Sequence, residues 1–304
     1  MKKYFLLGFI LFVAVKSTNA QTLDAEQIYK KVNDAIVTIY AYDSYQKILS
    51  QGSGVVLNDK GWIVTNYHVY NGCDKMVVRH KDKVVEYTNI IGVDAEKDIL
   101  ILKIADHTFP SITLGNSDLL NVGQKIYAIG SPMGFENTIT DGIISGLRSY
   151  EERTKNFIQI SAAISHGSSG GAVVNAKGEL IGISALSATE GQNLNFAIPV
   201  NEVMKVYKKE GVTKNDLTAA DYFYKGNKAY KAGDYKEAIT NYDKANAINP
   251  NGAEVYNNRG LDKNKLKDYH GAIQDFNKAI ELKNDLAEAY NNRGIEKALD
   301  LLRN

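Results

Sequence analysis

Short β-branched and aliphatic runs, punctuated by glycine, asparagine and charged turns, fill the chain from residue 35 to residue 198. A first set covers residues 35–40, 55–57, 62–65, 76–79, 84–89 and 99–104, and a second covers 125–129, 138–145, 157–161, 172–174, 180–185 and 194–198. Many short strands at this spacing predict antiparallel barrels. Two successive barrels would leave a groove between them, a common place for a ligand site. A helix is expected before the first set, over residues 24–32, with Asp24 as N-cap and Ile28 and Val32 four apart on one face. A short helix over 199–207 closes the second set, and the charged stretch that follows reads as a linker over 208–218.

Beyond the linker the period changes. Gly226, Gly260 and Gly294 recur every 34 residues, and so do Tyr222, Tyr256 and Tyr290. Ala238 with Ala272, Tyr242 with Phe276, and Ala245 with Ala279 keep the same step. This period predicts helical repeats in which small residues let paired helices approach closely. Two full repeats start at Ala219 and Ala253, and a further first helix runs from Ala287 as a cap.

Candidate chemistry centres on Gly167-Ser168-Ser169-Gly170-Gly171. A serine hydroxyl becomes a useful nucleophile when a base takes its proton and donors receive the oxyanion. Glycines around the serine permit a sharp turn, so that the Gly167 and Ser169 amides could face one pocket. His68 follows the buried strand at 62–65, in a suitable place for a base. Asp98 immediately precedes the apolar strand at 99–104, where a carboxylate drawn inside needs a partner such as an imidazole N–H. Asp94 is its rival, but it falls in an expected turn. The order His, Asp, Ser is that of the chymotrypsin type.

Seven patches in order then resemble the HtrA (Deg) family of trypsin-like serine proteases. They are Gly52-Ser53-Gly54-Val55-Val56, Thr65-Asn66-Tyr67-His68-Val69, Asp98-Ile99-Leu100-Ile101-Leu102-Lys103, Ala128-Ile129-Gly130-Ser131-Pro132-Met133-Gly134, Thr140-Asp141-Gly142-Ile143-Ile144-Ser145, Gly167-Ser168-Ser169-Gly170-Gly171-Ala172 and Asn195-Phe196-Ala197-Ile198-Pro199-Val200. The 34-residue segment resembles the tetratricopeptide repeat. The resemblance implies an all-β double barrel over 21–207, followed by an all-α repeat domain over 219–304. It implies a serine endopeptidase with His68, Asp98 and Ser169 as triad and Gly167 and Ser169 as oxyanion hole. It also implies a substrate pocket floored by Ala163, six residues before the nucleophile, and pairing of extended substrate with the strand carrying Ile183 and Ser184. The chain departs from the family at Ser168, where asparagine is common, and at His166, where proline or arginine is. From the repeat pattern it departs at Lys225 and Arg259, often leucine, and at Asn284, often proline.

Composition narrows the remaining choices. A net charge of +1 gives no reason to expect nucleic acid or an anionic membrane surface. The five histidines lack metal-ligand spacing, and the proposed chemistry calls for no metal or cofactor. The lone cysteine, Cys73, reads as a small buried filler. Residues 1–20 read as a signal peptide: Lys2 and Lys3, an apolar run, then small or polar residues ending at Ala20. That run is short for a bilayer span, so an exported, periplasmic or secreted chain is expected, with no span after processing. The expected partners are protein or peptide substrates, with the repeats presenting a groove for protein ligands or for self-association as a homo-oligomer. The repeats are expected to be separable, so that a chain ending near Lys209 would still cut short peptides. The competing expectation is a latent or non-enzymatic binding scaffold in which the repeats do the work.

Overall fold

A computed structural model describes residues 22–70, 72–105, 108–131, 137–150, 155–165, 167–185, 195–207 and 212–303. The signal-peptide expectation, His166 and residues 208–211 of the expected linker lie outside these residues. Helix α1 (Ala25–Val32) opens the described chain. Asp24 accepts the Gln27 N–H and Gln27 returns a bond to the Asp24 N–H, a complete capping box. Ile28 and Val32, the two expected inward positions, are buried.

Two closed six-stranded barrels follow. The first consists of β1 (Ile36–Tyr42), β2 (Ile48–Val56), β3 (Trp62–Thr65), β4 (Lys75–His80), β5 (Lys83–Asp94) and β6 (Ile99–Ile104), in the order β1-β2-β3-β6-β5-β4. The second consists of β7 (Lys125–Gly130), β8 (Thr138–Tyr150), β9 (Lys155–Ile160), β10 (Ala172–Asn175), β11 (Leu180–Ala185) and β12 (Asn195–Pro199), in the order β10-β11-β12-β9-β8-β7. A four-residue helix, α2 (Tyr67–Tyr70), interrupts the first barrel after β3. Helix α3 (Val200–Tyr207) closes the second. Several strands run past their expected ends, β2 and β5 most of all. The buried positions among their extra residues are Gly52, Ser53, Gly54 and Gly92, small or polar, and the rest are exposed or half-buried, so no apolar alternation marks them in the sequence.

Each barrel has its own apolar interior, and a third cluster joins them. Ile28, Val55, Val64, Tyr127, Ile129, Ile183, Ile198 and Val203 belong to this joining core. Burying aliphatic side chains of this size stabilises by about 1.5–3 kcal/mol each before entropy is counted, so the two barrels pack as one body.

The helical segment comprises α4 (Lys214–Lys231), α5 (Tyr235–Ile248), α6 (Ala253–Lys265), α7 (Tyr269–Leu282) and α8 (Ala287–Arg303). α4 begins inside the stretch expected as linker, because Thr213 caps it with a box completed by Asp216. The 34-residue glycines have a steric reason. A Cβ on Gly226 would lie 2.6 Å from Tyr242 Cδ1, and one on Gly260 would lie 2.7 Å from Phe276 Cε1. Gly294 has nothing within 4 Å, since among the described residues no second helix follows α8. Arg259, a departure from the repeat pattern, binds Asp275 with two nitrogens and Asp243 with the third. It thereby ties α6 to both α5 and α7.

The barrels and the repeats share packing. One apolar cluster runs from the first barrel, through Val37, Ile39, Tyr67, Leu100 and Leu102, to Phe223, Ala229, Ala238 and Tyr242 of α4 and α5. The pattern along α4 gave the inward face of a repeat helix, but nothing in it distinguished a neighbouring helix from a neighbouring barrel.

Candidate active site

The β3–α2 and β5–β6 turns are knitted around Asp98. Asp98 adopts φ +61°, unusual for a residue with a side chain. Its carbonyl accepts the Tyr67 N–H at 3.2 Å and the Asn66 Nδ2–H at 3.0 Å. Its carboxylate accepts the His68 backbone N–H at 2.8 Å through Oδ1, and Oδ2 lies 2.7 Å from His68 Nδ1. With Nδ1 donating to the carboxylate, the imidazole carries its proton there and leaves Nε2 free to accept one. His68 therefore sits on α2 rather than at the end of β3. Asp94 is turned elsewhere, accepting the Lys97 N–H. Cys73, just past α2, is buried, and burial pushes its thiol up to about 12.

The Ser169 loop belongs to the second barrel but leans on the first. The Ser169 carbonyl accepts the Ser53 N–H at 2.8 Å. Ser53 Oγ donates to the Gly167 carbonyl at 2.8 Å and accepts the Ser131 N–H at 2.9 Å. Ser53 is completely buried and so fixes the Gly167–Ser168 peptide from the other barrel. No role was expected for it, since these partners of its hydroxyl lie 78 and 114 positions away and no local pattern announces them. The convergence is tight. A Cβ on Gly52 would lie 2.5 Å from Val69 Cγ2 and 3.1 Å from the Ser169 carbonyl. One on Gly170, which has φ +82°, would lie 2.5 Å from Thr65 Oγ1. His68 thus lies between two residues, Thr65 and Val69, that border the same glycine-lined contact.

Within the loop the Ser168 N–H donates to Ser165, the Gly170 N–H to Ser184 and the Gly171 N–H to Ser168. Among the described residues the N–H groups of Gly167 and Ser169 have no such partner. Gly167 has φ +91°, which glycine alone adopts freely. Among the described residues no hydrogen bond joins the Ser169 hydroxyl to His68. Such bonds often tighten only when substrate binds.

Ala163 is exposed, and its carbonyl accepts the Thr140 hydroxyl at 2.9 Å. It borders a cavity of about 120 Å³ with Ile164, Ser165, Ser168 and Gly130, and among the described residues no charged side chain lines that cavity. A larger cavity, about 730 Å³, lies elsewhere, between the β5–β6 turn, α3 and the repeats, and is not lined by His68, Asp98 or Ser169. Ile183 is fully buried and paired on both sides, to Ala172 of β10 and Ile198 of β12. Its backbone is therefore not open to an added strand, contrary to expectation. The Ser184 backbone is engaged with Gly170 and Gly171, and its hydroxyl donates to the Ser168 carbonyl. No group of histidine, cysteine or carboxylate side chains among the described residues is arranged to hold a metal.

The two closed six-stranded barrels are the fold of the trypsin-like class, and the comparisons agree on that fold. Residues 52–183 match the trypsin-like peptidase domain, and residues 226–261 and 253–286 match tetratricopeptide repeat models. Over those segments the chain is similar to the trypsin-like peptidase domain, with HtrA/DegP relatives, and then to tetratricopeptide repeats. A DegP-like periplasmic serine endoprotease of Pseudomonas savastanoi pv. phaseolicola is 40% identical over 169 residues, covering 54% of this chain and 35% of the relative. One from Buchnera aphidicola subsp. Baizongia pistaciae is 43% identical over 182 residues, covering 57% and 39%. The solved serine endoprotease of Yersinia pestis superposes with a TM-score of 0.53 at 35% identity, over 60% of this chain and 64% of that one. The chain thus spans under two-fifths of the length of these two curated relatives. Among the described residues no helix is long and apolar enough to cross a membrane.

Proposed function

We propose that this chain is an exported serine endopeptidase whose repeats bind protein. The observation that carries the reading is the His68–Asp98 pair, 2.7 Å between Nδ1 and Oδ2, beside the loop of Ser169. Ser169 Oγ attacks the carbonyl carbon of a peptide bond while His68 Nε2 takes its proton. Asp98 holds the imidazole tautomer and stabilises the imidazolium that forms. The Gly167 and Ser169 N–H groups receive the oxyanion, and two preorganised donors are worth several kcal/mol of barrier, at roughly 3–4 kcal/mol for each donor. His68 then returns the proton to the departing amine, which leaves the acyl group on Ser169. A water activated by His68 releases that acyl group and restores the enzyme.

The uncharged surroundings of Ala163 favour small to medium apolar residues before the cut, because a charged side chain would be buried there without a partner. Export is supported by the leader pattern of residues 1–20 and by the periplasmic names of the relatives. The repeats offer a groove for protein ligands, whether substrates, other partners or a second copy of the chain. The test is cleavage of a peptide library by the full chain and by Ser169→Ala. Cleavage after Val, Ala, Leu or Ile that disappears in the variant is expected. Activity within about tenfold of the parent in Ser169→Ala leaves the scaffold reading in its place, and preference for Lys or Arg overturns the pocket assignment.

A further inference from the structure

The repeats reach the back of the histidine helix. α4 presents Asp221 and Tyr224, three residues apart and so on one face, to the two ends of α2. At the first end the Tyr224 ring meets the Tyr67 ring edge-on, with centroids 5.5 Å apart. At the other, the Asp221 carboxylate lies 3.4 Å from where a Cβ on Gly72 would stand. Lys225 fixes that carboxylate at 2.7 Å. Tyr67 is completely buried, between Tyr70 at 5.8 Å and Tyr224. It precedes His68 directly, and its N–H holds the Asp98 carbonyl. Tyr224 is half-buried, and burial together with the nearby Asp98 carboxylate pushes its hydroxyl up to about 12. One ring from the repeats therefore backs the residue that fixes both the base and its carboxylate.

We infer that Tyr224 is a positioning residue for His68, and that the first repeat is thereby part of the catalytic platform rather than an appendage to it. The inference rests on the endopeptidase reading above. α2 is a single turn of four residues, too short to hold itself in place. Its backbone is held by hydrogen bonds to Asp98 and from the Ser50 hydroxyl, whereas the Tyr67 side chain makes no hydrogen bond and is held by packing. Removing the Tyr224 ring leaves Tyr67 a space to move into, and His68 moves with it. A displacement of about 1 Å at a catalytic group is enough to cost on the order of 10²-fold in rate. In the endopeptidase reading the substrate pocket beside Ala163 belongs to the second barrel, so the loss falls on turnover and not on binding.

The test compares full-chain Tyr224→Ala, Tyr224→Leu, Tyr224→Phe and Phe223→Leu with the parent, using a short peptide substrate and fluorophosphonate labelling, with thermal melting of each. Phe223 lies in the same cluster between barrel and repeats, but its ring contact is with Tyr242 and not with Tyr67, so it serves as the control for lost seam packing. Expected is a fall in kcat and in labelling rate of about 10-fold to 100-fold for Tyr224→Ala and Tyr224→Leu, with KM within about twofold. Tyr224→Phe, which keeps the ring, stays within about twofold, and Phe223→Leu melts earlier but turns over normally. Unchanged kcat in folded Tyr224→Ala overturns the inference, and so does an equal loss in Tyr224→Phe. If the alanine variant does not fold, the leucine variant decides on the same readings. A Ser169→Ala control run alongside separates the two claims. An active Ser169→Ala sinks the endopeptidase reading, whereas an inactive one beside an unaffected Tyr224→Ala sinks only the role of Tyr224.

Discussion

His68 and Asp98 are fixed by side-chain hydrogen bonds and by a helix from outside their barrel, whereas Ser169 is fixed almost wholly through its backbone. Asp98 gathers four N–H donors from three consecutive residues, Asn66, Tyr67 and His68. The serine loop has no comparable side-chain clasp. It is set by carbonyls and amides, by Ser53 reaching across from the other barrel, and by glycines that allow the main chains to touch. The difference follows from the chemistry each half performs in the proposed mechanism. A base must keep one ring tautomer, which only directed side-chain bonds can specify. An oxyanion site must aim peptide N–H groups, which only backbone conformation can specify.

The largest effects test whether the two halves act as one device. Ser169→Ala, His68→Ala and Asp98→Asn are each expected to lower kcat on the order of 10⁴–10⁶-fold, and the double variants to lower it little further. Steady-state kinetics on a peptide substrate decide this. Losses that multiply would mean that the halves work independently.

A smaller effect probes the backbone-held half. Gly170→Ala places a methyl against Thr65 Oγ1 at 2.5 Å, at φ +82°. The backbone alone costs roughly 1–2 kcal/mol for an L-residue in that region. The loop must shift, so turnover should fall on the order of 10²-fold while the His68–Asp98 bond stays intact. The low-field proton resonance of that hydrogen bond would report its survival. Normal turnover in the variant would show that the glycine contact does not set the loop.

The smallest expected change concerns the packed floor under the base. With its thiol near 12, Cys73 is almost entirely protonated at pH 8, and the thiolate is the reactive form. Alkylation at pH 8 should therefore be slow in the folded chain and at least about 10-fold faster after denaturation. Equal rates in the two states would mean that the region behind α2 is open to solvent, against the picture of a braced base.

Reading the chain as a sequence located the strands through their β-branched runs and the helices through their 34-residue period, and it singled out His68, Asp98 and Ser169 by residue type and order. Its misses share one cause. Ser53, Asn66 and Tyr224 act through neighbours that are distant in the chain or that need the turn geometry to meet, and their own surroundings look ordinary. Ile183 was expected to meet substrate because its strand resembles one that does. Whether that strand's edges are free depends on β10 and β12 closing around it.

Local chemistry is encoded where it is used. A capping box, a glycine at a positive φ and an alternating apolar run each depend on a few adjacent residues, so α1, the barrel strands and the glycine-flanked serine were legible before any fold was known. What only the tertiary structure decided is which surfaces meet. The apolar face of α4 would pack equally well against another repeat or against a barrel, because burial rewards area and not identity. Its seating behind Tyr67 depends on shape complementarity between residues some 150 positions apart, which no local pattern records.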